Sequence, residues 1–346
     1  MVSKSATALV GVGVFSLSLA GLTVAVAQPA LFKAPTIYST TTDFVGTGSK
    51  VDSDTGKLVS GTVELKRGTG THTHVVNGKK VAYGTGSTAV YDIYGDTNIT
   101  LEGGTAPVNL SKTLDTYAFD RNSGKLQRGD FGPRTVAAPG VYAIKLPFGA
   151  KKSSYQYYDD NTGTTTTLSY VGEKTVDGLK AYEYSYSVPG TDMGVLPVVG
   201  AVPGAWVGQP AVPSVPAHQF VSVQEHLYFE PVTGSPIGAT VDERVWAQTA
   251  SGATVDLAVV QGLHVTPAST AAVVKDAKAS KAKVQLLQRA PWVLGVLGLL
   301  LIGGGLLARG RRRDRPVPAG QPDLAGVLPS PRDEPLVAPA KARARR

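Results

Sequence analysis

Between Pro291 and Ala308 the chain carries no charged or polar side chain, and Arg309, Arg311, Arg312 and Arg313 follow at once. At about 1.5 Å per residue such a run makes a helix roughly 27 Å long, close to the roughly 30 Å hydrocarbon core of a bilayer. A helix also satisfies its own backbone where no water can. The arginines act as a stop-transfer and place the C-terminus in the cytoplasm. Whatever else the chain folds into must be joined to a membrane here.

A second apolar stretch, Ala6 to Ala27, is preceded by Lys4 as its one charge. It ends Ala25-Val26-Ala27 before Gln28, the small-x-small pattern a signal peptidase cuts. Its length, near 20 residues, exceeds the roughly 7–15 of a signal-peptide core and favours an uncleaved anchor. Both readings export residues 28 to about 289. With the anchor retained, the chain is a two-pass loop with both termini cytoplasmic.

The formal net charge of +8 is unevenly placed: residues 28–289 hold 23 basic against 22 acidic side chains, whereas residues 309–346 hold 10 against 4. A nucleic-acid partner would need the basic surplus on the folded surface, so none is expected. The positive-inside rule accounts for the surplus beside the span. There are no cysteines, which excludes disulfides, thiolate metal sites, a catalytic thiol and a lipidated cysteine.

From residue 28 onward the sequence is rich in Thr, Val, Tyr and Gly, with short alternating runs that read as antiparallel sheet. Strands of five to eight residues are expected at Gly61–Lys66, Thr88–Tyr94, Thr113–Phe119, Val141–Leu146, Ser154–Tyr158, Thr165–Tyr170, Ala181–Ser187, Gln224–Phe229, Thr240–Ala247 and Thr254–Gln261. Period-2 spacing puts Tyr182, Tyr184 and Tyr186 on one face, with Glu183 and Ser185 on the other. The fold class that follows is mainly β: curved, half-barrel-like antiparallel sheets with N- and C-terminal transmembrane helices.

A degenerate turn occurs at Val51–Gly56, Phe119–Gly124, Tyr158–Gly163 and Phe229–Gly234. Each has an apolar residue and an acid, then Ser or Thr, then Gly. The acid can bond the turn backbone and glycine supplies a positive φ, so four similar hairpins are expected. Between Pro189 and Pro216 there are six prolines and Trp206. Proline removes a ladder donor, so 189–216 is expected as an irregular crossover dividing the sheet into parts 28–188 and 217–266. Its apolar residues are a candidate partner or lipid contact. Thr266-Pro267 resembles an N-cap and first helical residue. Val273, Ala277, Val284 and Leu287 then form a stripe on an amphipathic helix, 267–290, continuing through Pro291 into the span, 291–308. Lys275, Lys278, Lys281 and Lys283 fall on this helix as a solvated face or a contact for anionic headgroups. Residues 309–346, with seven prolines after Pro316 counted inclusively, read as a basic, disordered cytoplasmic tail.

No residue set specifies catalysis, a metal or a cofactor, and the chain is expected not to be an enzyme. His72 and His74 could share a metal on a strand, but the flanking glycines suggest a hairpin tip and no third ligand is near in sequence. Asp52–Gly56 fails as a calcium loop because Gly comes one position early and Val63 stands where a bidentate Glu belongs. Asp159, Asp160 and Glu173 are the carboxylates an enzyme of cell-wall polymers would need, about 5 Å apart in a retaining pair.

Four sets of runs stand in order along the exported region: Lys33-Ala34-Pro35 with Tyr38-Ser39-Thr40-Thr41, and Leu146-Pro147-Phe148-Gly149 with Lys151, Lys152 and Tyr155-Gln156-Tyr157-Tyr158-Asp159. Tyr170-Val171-Gly172-Glu173 with Val176-Asp177-Gly178, and Glu230-Pro231-Val232-Thr233-Gly234, complete the set. Together they resemble an actinobacterial family of envelope proteins labelled PorA-like, after porins. The resemblance implies a two-anchor envelope protein, with pore formation as the activity in the family's label and no catalytic residue to carry over. The Thr-rich 161–167 run and the tail depart from it. Val176–Tyr182 and Glu230–Gly234 are also similar to hairpins in LolA-like half-barrels, which hold lipid chains, a fold-level likeness. The expectation is thus a non-catalytic envelope protein whose partners are the bilayer and a lipid, hydrophobic ligand or envelope protein. A pore is the alternative, disfavoured by strands shorter than the roughly 9–11 residues a spanning strand needs.

Overall fold

The computed structural model describes residues 4–28, 32–84, 86–197 and 200–310. The tail and its arginines beyond Arg309 lie outside the described residues. An N-terminal helix α1, Lys4–Leu22, continues as a wider turn over Thr23–Ala27, and a C-terminal helix α2 spans Pro267–Gly310. Between them come strands β1 (Ser39–Val51), β2 (Leu58–Thr71), β3 (Thr73–Val76), β4 (Lys79–Ala82), β5 (Thr88–Leu101) and β6 (Val108–Asp120). They are followed by β7 (Tyr155–Asp159), β8 (Thr164–Val176), β9 (Leu179–Val195), β10 (Ala201–Pro203), β11 (Ser214–Phe229), β12 (Pro236–Thr249) and β13 (Thr254–Val265).

All but β3 and β4 join one antiparallel sheet in the order β6-β5-β2-β1-β13-β12-β11-β9-β8-β7, with β10 added to β11. The edge strands β6 and β7 are not paired with each other, so the barrel is not closed. The irregular segment 121–154 lies between them. Gln127 N donates to Ala118 O on the β6 side, Leu126 N to Val141 O within the segment, and Tyr142 N to Gln156 O on the β7 side. The expected strand Val141–Leu146 is part of this segment and forms only an isolated bridge, Tyr142 to Tyr157.

Strand length departs from expectation. The main strands run 12 to 17 residues, about twice the expected span. Some of the additional residues are Thr and Gly, as in Gly68–Thr71 of β2, which pair without an apolar alternation to announce them. β1, β3, β4 and β10 form where no strand is expected. Residues 189–216 also differ from the expected crossover. β9 runs on through Pro189 to Val195 and pairs with β11, so the sheet is continuous. The register shifts between Val221 and Val223, opposite Thr191 and Val188. Pro189 and Gly190 lie in that bulge, where the missing N–H costs no regular ladder bond.

Alternation sorts the two faces. Tyr184, Tyr186, Val188, Val221, Val223, Leu227 and Phe229 form the inner core, with Tyr170 and Tyr182 packed against it. The expected aromatic face is therefore the inner one. Phe44, Val63, Ile99, Val260 and Leu263 continue the core around β1, β2, β5 and β13. The outer face carries many polar and charged side chains: Thr62, Glu64 and Lys66 of β2, Gln224 of β11 and Asp242 and Arg244 of β12 are exposed, beside exposed Tyr94 of β5 and Leu114 of β6.

The two helices pack against each other where glycine permits. A Cβ on Gly13 would sit 2.7 Å from Gly298 O, and one on Gly298 would sit 2.8 Å from Gly13 O. Such close backbone approach is the usual way apolar helices associate where lipid removes the hydrophobic drive. Both helices are long and apolar enough to cross a membrane. α2 is unbroken through Pro291. Its first turns bury Val274 and Ala277 against Leu179 and Ala181 of β9 and Ile237 of β12, so Val274 rather than the expected Val273 carries that contact.

Candidate functional site inside the curved sheet

Charged side chains interrupt the apolar inner face at several strands, among them β2, β11 and β12. On β2 the inward series Val63, Leu65 is followed by Arg67. On β11, Val221 and Val223 are followed by Glu225, and on β12 Val241 is followed by Glu243. The ladders place Val223 opposite Glu243 and Glu243 opposite Val260, so all three share a face.

Arg67 Nη2 lies 2.6 Å from Asp160 Oδ2 in the turn after β7. The pair joins the third strand from one edge to the turn at the other, across the concave interior. The side chains keep 36% and 25% of their surface accessible, so this interior admits water although protein surrounds it. The Asp160 charge holds the guanidinium even further above its ordinary pKa, against the opposing effect of burial.

Beside this pair, Tyr186 Oη contacts Asp159 Oδ1 at 3.0 Å and also bonds Glu225 Oε2. A hydroxyl has one proton to donate, so two acceptors around it call for a second proton. Glu225 is where that proton is held. Burial pushes its carboxyl up to about 7, with the Tyr186 bond opposing and the Asp160 charge adding. Asp159 also accepts from Thr162 N and Thr162 Oγ1. Glu243 is likewise pushed up to about 7, first by burial and then by Asp159 and Asp160.

The four recurring turns share one construction. Gly56 N donates to Asp52 O, Gly124 N to Asp120 O, Gly163 N to Asp159 O and Gly234 N to Glu230 O. In each the acid's side chain also accepts from the Thr or Ser three residues on, as Asp52 does from Thr55, Asp120 from Ser123 and Glu230 from Thr233. All four glycines have positive φ. The expected hairpin turns are present, and the calcium-like run at Asp52 spends its carboxylate on its own loop.

The remaining sequence candidates are dispersed. Glu173 is held by Lys152 at 2.6 Å and Lys180 at 2.8 Å, and shares no partner with Asp159 or Asp160. His72 Nδ1 lies 2.8 Å from Asp92, and both His72 and His74 stack on Tyr83. Trp206 packs on the β1–β2 turn, where a Cβ on Gly56 would meet its ring at 2.3 Å. Of the four helix lysines, Lys278 donates to Asp177 O at 2.9 Å and Lys281 lies 3.3 Å from Glu230, so these two tie α2 to the sheet. Arg67, Glu225 and Glu243 were not singled out in the sequence. The signal available was a charge standing in the apolar phase of an alternating run.

Two mutually packed apolar helices and a polar-faced, aromatic-cored antiparallel sheet together define a membrane-associated β protein. Residues 5–307 match the family described as Porin PorA, and the chain belongs to that family. It is similar to a curated Porin PorA of Corynebacterium amycolatum, 43% identical over 60 residues. That match covers 17% of this chain and 15% of the relative, so most of the relative's length is unmatched.

Proposed function

We propose that the protein is a non-catalytic, two-pass envelope protein whose β domain stands in water on the outer side of the membrane, held there by the α1–α2 hairpin. The observation that carries this reading is the outer face of the sheet. Glu64, Lys66, Gln224, Asp242 and Arg244 are exposed along mid-strand positions, where a lipid-facing barrel carries an apolar band. A charged side chain turned to lipid at the bilayer midplane costs about 2–4 kcal/mol. The inner face does not favour a lipid-chain carrier, because Tyr157, Leu168, Tyr184, Tyr186 and Phe229 fill it. An envelope partner is better supported, through Met193, Val195 and Val212, which are exposed at the end of the sheet far from α2. Protease added to intact cells tests the placement: cleavage of the 189–216 segment supports it, and protection until the membrane is permeabilised contradicts it.

Pore formation is the second reading, and the family's name is what favours it. The water-accessible Arg67–Asp160 layer and strands longer than the roughly 9–11 residues needed to span agree with it, while the polar outer face opposes a lipid-embedded barrel. Conductance of the purified protein in planar bilayers decides this reading, and silence at all voltages and protein concentrations would remove it.

A further inference from the structure

A cavity of about 280 Å³ lies between the β3–β4 hairpin and the segment after β6, lined by His74, Tyr83, Gln127, Arg128 and Phe131 among others. It belongs neither to the interior charge cluster nor to the helices. We propose that it binds one sugar unit carrying an anionic group. The inference does not depend on the membrane topology proposed above.

The walls are aromatic. Tyr83 and Phe131 meet edge to face with centroids 5.7 Å apart, and His74 packs on Tyr83 at 4.1 Å. His72 and His74 pack on Tyr83, so Phe131 is the ring left to accept the C–H face of a sugar, and its edge-to-face contact with Tyr83 holds its geometry. Pockets for larger ligands run about 300–1,000 Å³, so this one suits a single ring. The polar groups suit hydroxyls. Gln127 Oε1 accepts from Thr88 Oγ1 at 2.6 Å, which orients its amide and leaves the NH₂ to donate.

The anion preference comes from Arg128, which is exposed at the cavity and has no ion-pair partner among the described residues. Its fork matches a carboxylate or a phosphate through two parallel bonds. The acids nearby are occupied. Asp92 is bonded by His72 and Thr116, and Asp130 accepts from Gly132 N within its own turn.

Saturation-transfer NMR on the full chain in detergent micelles, with glucuronate and glucose as probes and inorganic phosphate as competitor, tests the site. Transfer to the ring protons of both sugars is expected, with glucuronate about tenfold tighter, as one charge-assisted bond pair implies. Arg128→Gln should bring glucuronate down to the level of glucose. Phe131→Ala should abolish transfer to both while the thermal unfolding midpoint stays within a few degrees. Because Phe131→Ala can loosen its own loop, the exposed Arg128→Gln serves as the second variant. The proposal is overturned if neither sugar receives transfer, if Arg128→Gln leaves the glucuronate preference intact, or if phosphate shifts the Arg128 signals while no sugar binds, which would make this an anion site only.

Discussion

Arg67 of β2 and Asp160 of the β7–β8 turn face each other at 2.6 Å across the concave interior of the sheet. The pair ties together two regions that no backbone ladder joins. Because both side chains retain contact with water, its coupling is that of a partly screened pair, about 1 kcal/mol. A double-mutant cycle with Arg67→Gln and Asp160→Asn, read by chemical denaturation, should return that value. Additive single effects would show that the pair contributes no net stability.

Glu243 gives a pH signature. Its folded-state pKa, about 7, stands above the 4.5 of a free glutamate, so between those pH values the native protein binds more protons than the unfolded chain. Stability then falls as pH rises through this window, and the penalty is complete above about 7. Glu243→Gln removes the titration without breaking a hydrogen bond. It should raise the unfolding midpoint by a few degrees at pH 8, about 1–2 kcal/mol after allowing for partial exposure, and leave it unchanged near pH 4.5. An equal shift at both pH values would assign the effect to packing.

The recurring turns separate two costs of adding a methyl group. Gly163 has φ +69° but open space around it, with only Tyr158 Oη at 3.7 Å from an added Cβ. Gly163→Ala should therefore cost about 1–2 kcal/mol, the price of a left-handed residue alone. Gly234 has φ +71° and an added Cβ would sit 2.0 Å from Leu146 O, so Gly234→Ala must also displace the 146–147 backbone and should cost at least twice as much. Thermal unfolding of the two variants side by side checks the order.

Gly298 offers a similar comparison within the helices. Gly298→Val collides with Gly13 O and Leu17, whereas Gly303→Val meets open space. The first should loosen the α1–α2 hairpin and the second should not, measured as detergent-dependent unfolding. Overpacking of this kind costs about 1–3 kcal/mol.

Much of the fold was legible because its signals are local. The apolar runs, the inward tyrosines of β9 and the acid-to-glycine turns each follow from a handful of adjacent residues. Strand length was not, since stretches such as Gly68–Thr71 at the end of β2 are Thr and Gly whose pairing is decided by neighbouring strands, and the Thr-, Ser- and Gly-rich β1 was not expected as a strand at all. Pro189 suggested a break, yet a bulge opposite Ser222 absorbed it. The interior cluster was harder still. Arg67, Asp160 and Glu225 come from three distant parts of the chain, and only the curvature of the completed sheet brings them together.

The water-exposed placement of the sheet is tested most directly by cysteine labelling, which the absence of native cysteines makes clean. Glu64→Cys on β2 and Gln224→Cys on β11 both lie mid-strand on the outer face. In intact cells both should react with a membrane-impermeant maleimide as fast as a Ser53→Cys control in the β1–β2 turn. Protection of the two mid-strand positions while Ser53→Cys is labelled would contradict this account and put the strands in the bilayer.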